Sequence, residues 1–432
     1  MDRHPLRRIG PGDLPGSQAR LFSPEVDAVA ALAIADVRDS GELGLRAWAE
    51  KLGELTPGDR LVLGRSELEA AWLRLDEDLR SLLTRAKARI AAFAAAQRSS
   101  LSNFDIAVPG GRAGQEFLPV ARAGCYVPGG RYPLPSSALM TVTPAVEAGV
   151  GEVWCAGPRP TEVTLGAAYI AGATGFLRCG GAHAIAALAF GTPLSSGLSV
   201  PRCDVVVGPG GRYVASAKRL LFGLVGTEAP AGPSELLVIA DASADPDIAA
   251  ADLIAQAEHD TAAIPMLICF TEDFALAVES ALAERLATLP EPNRTTAATS
   301  LDNGWIFVAS RDEEARGFAE RCAPEHLELH VADPEAWARR IRSAGAVFVG
   351  GGSAEVFGDY GAGPNHTLPT GGAARFAAGL SVIHFLRART WLRMDEPSAL
   401  AADTAAFARI EGLEGHARAA EARIGEKAHG GN

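Results

Sequence analysis

The fold is decided by four short apolar runs: GEVWCAGP (151–158), ATGFLRCGG (173–181), CDVVVGPGG (203–211) and SELLVIAD (234–241). The first three are closed by glycine, and all four are followed by an Ala/Leu-rich stretch with helical spacing. Strand and helix patterns that alternate in this way predict βαβ units and a mostly parallel sheet.

The alternation continues toward the carboxyl end in PMLICFTED (265–273), GWIFVAS (304–310) and AGAVFVGG (344–351). Each run is short and nearly continuous in hydrophobicity, as expected when helices cover both faces of a sheet. Residues 25–98 have apolar residues three and four apart and no strand signal, which predicts helices. Beyond Gly371 the strand pattern disappears, so the last part of the chain is also predicted to be helical.

Composition limits the class of protein. The chain has 432 residues, of which 48% are apolar and 21% charged, and this is typical of a globular protein of two or three domains. The chain has a net charge of -12 and contains no cluster of basic residues, which argues against nucleic acid as a partner. No apolar stretch has the length of a signal peptide or a membrane span, so we expect a cytoplasmic protein without membrane contact.

The six cysteines form no C-x-x-C pair and are expected to be reduced and mostly buried.

No G-x-G-x-x-G sequence follows any strand run, so a standard dinucleotide fold cannot be claimed from a motif. Of the two glycine-rich segments VPGGR (127–131) and GPGGR (208–212), the second lacks the third glycine at the required spacing. Glycines that end strands in tight turns explain both segments as well as contact with a phosphate does.

Two pairs of residues are candidates for chemistry. In ADLIAQAEHD (251–260), Gln256 and His259 lie three apart on a predicted helix and can share a metal, although a solvated or capping pair has the same spacing. In RCAPEHLELH (321–330), Glu325 and His326 follow a proline, where a loop is expected. A carboxylate beside an imidazole suits proton transfer near neutral pH, and the alternative is a surface Glu–His pair.

The segment GGSAEVFGDYGAGPNHTLPT (351–370) is the strongest site signal, because long glycine-rich loops in compact domains are often functional. It carries Asp359 and His366. In EGLEGHARAAEAR (411–423), Glu411 and His416 lie on a predicted helix, where a charged and solvated helix face is the alternative explanation.

From about Tyr126 to Arg423, the sequences of these segments and their order along the chain resemble those of the histidinol dehydrogenase family. The resembling stretches are YVPGGR, SSALM, GGAHAIAALAFGT, VVVGPGG, AGPSELLVIAD, ADLIAQAEHD, APEHLEL, GDYGAGPNHTLPT with ARF after it, and EGLEGHA. Several stretches in one order make the resemblance specific.

The resemblance implies a zinc- and NAD-dependent enzyme that oxidises histidinol to histidine through a bound aldehyde. The zinc ligands that it implies are Gln256, His259, Asp359 and His416. His326 matches the residue that removes the hydroxyl proton, and Glu325 the one that activates water for the second oxidation. Substrate-contacting positions, besides His326 and the zinc ligands, are Ser234, His366 and Glu411.

The resemblance also implies a homodimer in which the carboxyl-terminal tail crosses to the neighbouring subunit and completes its site. We expect two Rossmann-like lobes, which are incomplete dinucleotide-type folds, with helical extensions at both ends. The expected division is an amino-terminal extension (1–22), a discontinuous main lobe (23–125 and 236–376), a second, NAD-binding lobe (126–235) and a helical tail (377–432).

Three positions depart from the family pattern. His183 replaces a glutamine and Gly211 an asparagine, both in the cofactor site, where Tyr126 matches a cofactor contact. Leu134 replaces a tyrosine in RYPLPSS. This segment is more similar to the corresponding segment of relatives that oxidise sulfonated polyols such as sulfopropanediol. Two alternatives therefore stay open: a sister dehydrogenase for another amino alcohol or polyol, and a zinc protein with a decayed cofactor site that hydrolyses or only binds a small molecule.

Overall fold

A computed structural model describes residues 6–13, 23–129, 133–195, 197–229 and 232–424 of the chain. Its strands are β1 (Arg7–Arg8), β2 (Val62–Gly64), β3 (Phe104–Val108), β4 (Gly111–Pro119), β5 (Arg122–Tyr126), β6 (Glu152–Ala156), β7 (Gly175–Leu177), β8 (Thr192–Pro193), β9 (Ser199–Val200), β10 (Val205–Val207), β11 (Glu235–Ala240), β12 (Ile264–Cys269), β13 (Trp305–Val308), β14 (His326–His330), β15 (Ala346–Val349) and β16 (Leu386–Met394).

The helices alternate with these strands over most of the chain. They are α1 (Pro24–Ser40), α2 (Glu42–Lys51), α3 (Arg65–Arg74), α4 (Glu77–Ser99), α5 (Pro135–Ala148), α6 (Glu162–Ala171), α7 (Gly181–Phe190), α8 (Arg212–Leu221), α9 (Pro246–His259), α10 (Glu272–Thr288), α11 (Asn293–Leu301), α12 (Asp312–Cys322), α13 (Pro334–Ala338), α14 (Glu355–Asp359), α15 (Ser398–Ile410) and α16 (Glu414–Glu421). None of the described helices is long and apolar enough to span a bilayer.

The larger sheet has six strands in the order β1-β13-β12-β11-β14-β15, and every neighbouring pair is parallel. Strand β11 is buried throughout. Leu236 and Val238 belong to one apolar cluster, whereas Leu237 and Ile239 belong to another, because successive side chains of a strand point to opposite faces. Helices therefore cover both faces, as the continuous apolar run predicts.

The second sheet has five strands in the order β10-β5-β6-β7-β2. Its first four strands are parallel, whereas β2 runs antiparallel to β7. The prediction that residues 25–98 contain no strand is therefore wrong at Val62–Gly64. Three residues are too few to give a readable alternation of apolar and polar side chains. The two mostly parallel sheets confirm the expected α/β fold with two Rossmann-like lobes.

The predicted amino-terminal extension contributes to the larger sheet where it is described. Arg7 and Arg8 pair in parallel with Trp305 and Ile306 of β13, and Leu6 is buried in an apolar cluster beneath this sheet. Residues 14–22 lie outside the described part of the chain.

The described chain divides into two compact units, Met1–Ala95 with Val120–Phe385 and Ala96–Pro119 with Leu386–Asn432. Both lobes belong to the first unit. The second unit contains an antiparallel sheet in the order β16-β4-β3 and the packed helices α15 and α16. The prediction that the chain beyond Gly371 is helical alone is wrong at β16, which pairs with β4 over nine residues.

The cysteines behave as the sequence predicts. Cys125, Cys155, Cys179, Cys203, Cys269 and Cys322 are all free thiols, and only Cys322 is partly exposed. Burial raises the pKa of the Cys125 thiol to about 12, so it stays protonated at neutral pH and is a poor nucleophile.

Candidate active site

A cavity of about 170 Å³ opens in the first unit, where residues from both lobes meet. The side that belongs to the larger sheet consists of the amino ends of strands, since Ser234 precedes β11 and Glu325 precedes β14. The other side includes Pro209 and Gly210, which follow the carboxyl end of β10. The residues that line the cavity are Pro128, Leu134, Ser136, Ser137, Pro209, Gly210, Gly232, Ser234, His259, Glu325, His326, Asp359, Tyr360, His366, Thr367 and Leu368.

Glu325 is positioned by the way that α12 ends. Ala323, the residue after this helix, has a left-handed backbone (φ 46°), and its N–H donates to the carbonyl of Ala319. This turn directs the chain through Pro324 into β14. The Glu325 carboxylate accepts a hydrogen bond from the backbone N–H of Glu235 at 3.0 Å. Burial raises its pKa well above the ordinary range, and the nearby Glu235 carboxylate adds to the shift.

His326 begins β14, so the expectation of a loop is wrong at this residue, and its side chain is almost completely buried. Its Nδ1 lies 3.0 Å from the backbone carbonyl oxygen of Glu235. A carbonyl can only accept, so Nδ1 carries the proton and Nε2 of the neutral ring has a free lone pair. Burial lowers the pKa of the imidazole, which favours this neutral form. Burial of both side chains excludes the alternative of a surface Glu–His pair.

Three polar side chains lie close together beside this pair. Nε2 of His259 is 3.2 Å from Oδ2 of Asp359. This hydrogen bond raises the pKa of His259, and it helps to lower the pKa of Asp359 although burial of that carboxyl acts in the opposite direction. Nδ1 of His366 lies 3.3 Å from the backbone oxygen of Asp359.

Gln256 and His259 both lie on α9, as predicted. Gln256 is completely buried, and neither the oxygen nor the nitrogen of its amide has a hydrogen-bond partner among the described residues. A buried amide without partners costs about 1–3 kcal/mol, so this side chain needs a ligand that none of the described residues supplies.

The second lobe carries the predicted cofactor positions around the amino end of α7. The Tyr126 hydroxyl accepts from the Gly181 N–H at 3.1 Å. His183 is buried, with its Nε2 3.0 Å from a Glu54 carboxylate oxygen that also accepts from the Gly180 N–H, and its ring stacks on Trp48. The His183 side chain therefore points inward, where it braces the glycine turn that begins α7.

The turn after β10 is shaped by glycine. Gly208 has φ 122°, and a β-carbon there would lie 2.2 Å from the carbonyl oxygen of Tyr126. Any other residue would clash, so this turn requires glycine. Gly211 immediately precedes α8 and has an extended backbone (φ -63°, ψ 173°), and a β-carbon added there would meet no atom within 4 Å. A side chain at this position is therefore sterically permitted.

The family model described as histidinol dehydrogenase matches residues 18–424. The chain belongs to the histidinol dehydrogenase family. The histidinol dehydrogenase of Cereibacter sphaeroides is 45% identical over 412 residues, and that of Chromobacterium violaceum is 42% identical over 409 residues, with 93% of each chain covered in both comparisons. A histidinol dehydrogenase homolog of Ruegeria pomeroyi is 40% identical, with 93% of this chain and 94% of the relative covered.

A solved structure agrees with this family membership. The crystal structure of histidinol dehydrogenase from Elizabethkingia anophelis superposes with a TM-score of 0.88 at 28% identity, covering 98% of this chain and 99% of that one. As a member of the histidinol dehydrogenase family, the chain is an oxidoreductase that acts on an alcohol. A protein that only hydrolyses or binds a small molecule does not fit this family.

The cavity brings together six residues that the sequence predicts for the site of a histidinol dehydrogenase. They are Ser234, His259, Glu325, His326, Asp359 and His366. Leu134, one of the departures from the family pattern, lines the same cavity. Gln256 is buried on the helix that carries His259, and Tyr126, His183 and Gly211 lie in the second lobe. Glu411 and His416 belong to the second unit, where both side chains are exposed.

Sequence reasoning missed three buried carboxylates around this cavity. Glu235 begins β11, Glu328 lies in β14, and Glu355 begins α14, a short helix inside the segment 351–370 that was expected to be a loop. One signal was available. In the fully buried strand HLELH, His326, Glu328 and His330 alternate with leucine, so three polar side chains share one face of a strand that has no solvent-exposed face.

Proposed function

We propose that this enzyme oxidises L-histidinol to L-histidine in histidine biosynthesis, by way of bound histidinaldehyde and with two NAD⁺ consumed. The observation that carries the proposal is the meeting of His326, Glu325 and the His259–Asp359 pair in one cavity of a histidinol dehydrogenase fold. In the first oxidation the alcohol loses a proton and a hydride. In the second, the aldehyde gains water and loses a second hydride and further protons.

His326 is the base that takes the hydroxyl proton. Its Nδ1 proton is held by the Glu235 carbonyl, so Nε2 is the atom that accepts. Because burial keeps the ring neutral, the base needs no prior deprotonation near neutral pH. The free energy of proton transfer from an alcohol is unfavourable unless the alcohol is polarised, which is the reason for a metal.

Glu325 is the group that activates water for the second oxidation. Its buried carboxyl has a raised pKa, which makes the ionised form a stronger base than an ordinary glutamate. The backbone N–H of Glu235 fixes one carboxylate oxygen, so the carboxylate keeps one orientation in the cavity.

The residues present fit a zinc ion. Gln256 has a buried amide without partners, and His259 and Asp359 offer a nitrogen and a carboxylate oxygen 3.2 Å apart, which are donors that zinc accepts. The family resemblance gives His416 of a second copy of the chain as the fourth ligand. When bound, zinc polarises the substrate hydroxyl and holds the substrate's nitrogen atoms. Ser234, His366 and Glu411 are proposed to contact the substrate.

NAD is proposed to bind on the second lobe, near Tyr126, His183 and Gly211, and it accepts a hydride in each oxidation. The turns after β5 and β10 lie at the carboxyl edge of a parallel sheet, where α/β folds bind ligands. His183 would act indirectly, through the glycine turn that Glu54 also holds.

We propose a cytoplasmic homodimer in which the second unit completes the neighbour's site through Glu411 and His416. Support comes from large apolar side chains that this unit leaves exposed, including Leu392, Phe407 and Ile410, the last 82% exposed. Contact with a second copy of the chain would remove these side chains from water.

The experiment is direct. The purified enzyme, loaded with zinc, is mixed with L-histidinol and NAD⁺, and NADH is followed by absorbance while histidine is measured by chromatography. We expect about two NADH for each histidine. Absence of NADH formation would reject the proposal.

A second candidate substrate is another amino alcohol or a polyol such as sulfopropanediol. It is favoured by Leu134, an apolar side chain on the cavity wall where the family commonly has a tyrosine hydroxyl. The same assay decides between the candidates, because a larger kcat/KM for sulfopropanediol than for histidinol would select the second.

A further inference from the structure

A line of buried polar side chains runs along β14 behind the cavity. His326, Glu328 and His330 lie on one face of the strand, and each is less than 5% exposed. Polar groups at this depth are costly unless they are paired or have a function. The function proposed above accounts for His326 only.

Glu355 is a buried carboxylate of this region whose side chain accepts no hydrogen bond from the described residues. It is completely buried, and neither of its side-chain oxygens receives a hydrogen bond from any residue that the structure describes. Its Oε2 lies 3.3 Å from Nδ1 of His326. Glu355 is therefore placed on the side of the imidazole ring that carries the Nδ1 proton.

The backbone fixes this placement. Glu355 is the first residue of α14, and its N–H donates to Oε1 of Glu328 at 2.7 Å. Glu328 itself is held in β14, two residues after His326 and on the same face. The strand thus sets the positions of the imidazole and of the carboxylate relative to each other.

We propose that Glu355 is a positioning residue for His326: it holds the ring and balances its positive charge when Nε2 takes the substrate's hydroxyl proton. The proposal rests on the role of His326 as the base. In this step the O–H bond of the alcohol breaks and an Nε2–H bond forms, while the Nδ1 proton stays directed at the Glu235 carbonyl. No electrons are transferred in it.

The surroundings of Glu355 disfavour its negative charge unless a positive group lies beside it. Glu355 is faced by Glu325, His326 and Glu328 from the β14 segment, by Asp252 from α9 and by Asp359 from its own helix. Burial and these neighbouring acids raise the pKa of Glu355, so its ionised form needs a cation beside it. The imidazolium of His326 is that cation.

Glu355→Gln tests the proposal because it keeps the shape of the side chain and removes its charge. We expect kcat to fall about ten- to a hundredfold, within the range that a general base contributes, while KM changes less than about threefold. The acid limb of the pH profile of kcat/KM should move to lower pH, because a ring without its carboxylate neighbour is protonated only in more acidic solution. Glu355→Asp should recover part of kcat.

Asp252→Asn is the matched control, since Asp252 is a buried acid near Glu355 that has no contact with His326 among those described. We expect its kcat to stay within about twofold of wild type. Zinc content, measured by atomic emission, should be equal in all variants. A loss of kcat in Glu355→Gln with an unmoved acid limb would mean that Glu355 only supports α14, and an unchanged kcat would also overturn the proposal.

A second measurement needs no substrate. Exchange of the imidazole carbon-bound hydrogen for deuterium, followed by mass spectrometry, gives the titration of His326 in the folded enzyme. In Glu355→Gln, or in Glu355→Asp if the former does not fold, His326 should titrate at lower pH than in wild type. If the wild-type enzyme oxidises another alcohol and not histidinol, the kinetic comparison is made with that alcohol. An incorrect substrate can therefore be distinguished from an incorrect role of Glu355.

Discussion

Lys218 and Glu228 form a buried ion pair in the second lobe, with 2.5 Å between Nζ and Oε1. The Lys218 ammonium also donates to the carbonyl of Gly208, and the Glu228 carboxylate accepts from the Gly208 N–H. The pair therefore holds both polar groups of the glycine that begins the turn beside the cavity.

Glu228→Gln should lower the free energy of unfolding by about 3–5 kcal/mol, because it leaves the Lys218 charge buried without a counter-charge. Urea unfolding followed by fluorescence measures the change. Arg38→Gln is the control: its ion pair with Asp39 is exposed on both sides, so its loss should change the free energy of unfolding much less. Similar losses in the two variants would contradict the assigned role of the buried pair.

Glu325→Gln and His326→Asn should separate the two oxidations. His326→Asn removes the base of both steps, so oxidation of histidinol and of added histidinaldehyde should both slow by about 10²–10⁴-fold. Glu325→Gln should slow the aldehyde oxidation more than the alcohol oxidation, because only the aldehyde must gain water. Single-turnover NADH formation from each substrate measures this. Equal losses in the two half-reactions of Glu325→Gln would disprove the division of roles.

The proposed sharing of a site between subunits can be tested by complementation. His259→Asn and His416→Asn should each lose zinc and activity. Co-expression of the two variants gives mixed dimers in which one site has both mutations and the other has none. If half of the dimers are mixed, about a quarter of wild-type activity should return. Activity no higher than that of the separate variants would show that the ligands come from one chain.

Gly211→Asn should strengthen the binding of NAD. The position has an extended backbone that any residue can adopt and free space for a side chain, so an asparagine can be accommodated without strain. One additional hydrogen bond contributes about 0.5–1.5 kcal/mol, which corresponds to about a two- to tenfold lower Kd. Isothermal titration calorimetry measures it, and Gly211→Ala is the control that adds a β-carbon without an amide. An equal effect of alanine would exclude the hydrogen bond as the cause.

The parts of the fold that the sequence predicts correctly are those with strong periodicity. Strands β11, β12 and β13 lie in nearly continuous apolar runs, and the burial of almost all their residues is a direct consequence of that composition. Strand β16 was missed because arginines at 387, 389 and 393 and its largely exposed side chains resemble a solvated helix face. Its stability comes from pairing with β4, more than 260 residues earlier, which no local pattern reveals.

In the candidate site, too, the residues predicted from the sequence are those with a local pattern, and the residues missed depend on contacts distant in sequence. Glu325 and His326 are adjacent in sequence, and Gln256 and His259 are neighbours on one helix, so local spacing identifies them as pairs. The interaction of His183 with Glu54 joins residues 129 positions apart. Glu355 lies in a glycine-rich segment with no periodicity, and only the long-range hydrogen bond between its N–H and Glu328 of β14 shows that it lies beside His326.

The two-residue strand at the beginning of the described chain has a practical consequence for producing the enzyme. Arg8 bonds to Glu272 and Glu279, and the pairing of β1 covers the backbone of β13, the next strand inward. A gene shortened to begin after Gly10 would leave backbone groups of Gly304–Ile306 open and would empty the pocket that Leu6 fills. Its product would be prone to precipitate during purification, since an uncovered strand edge is a template for pairing between molecules.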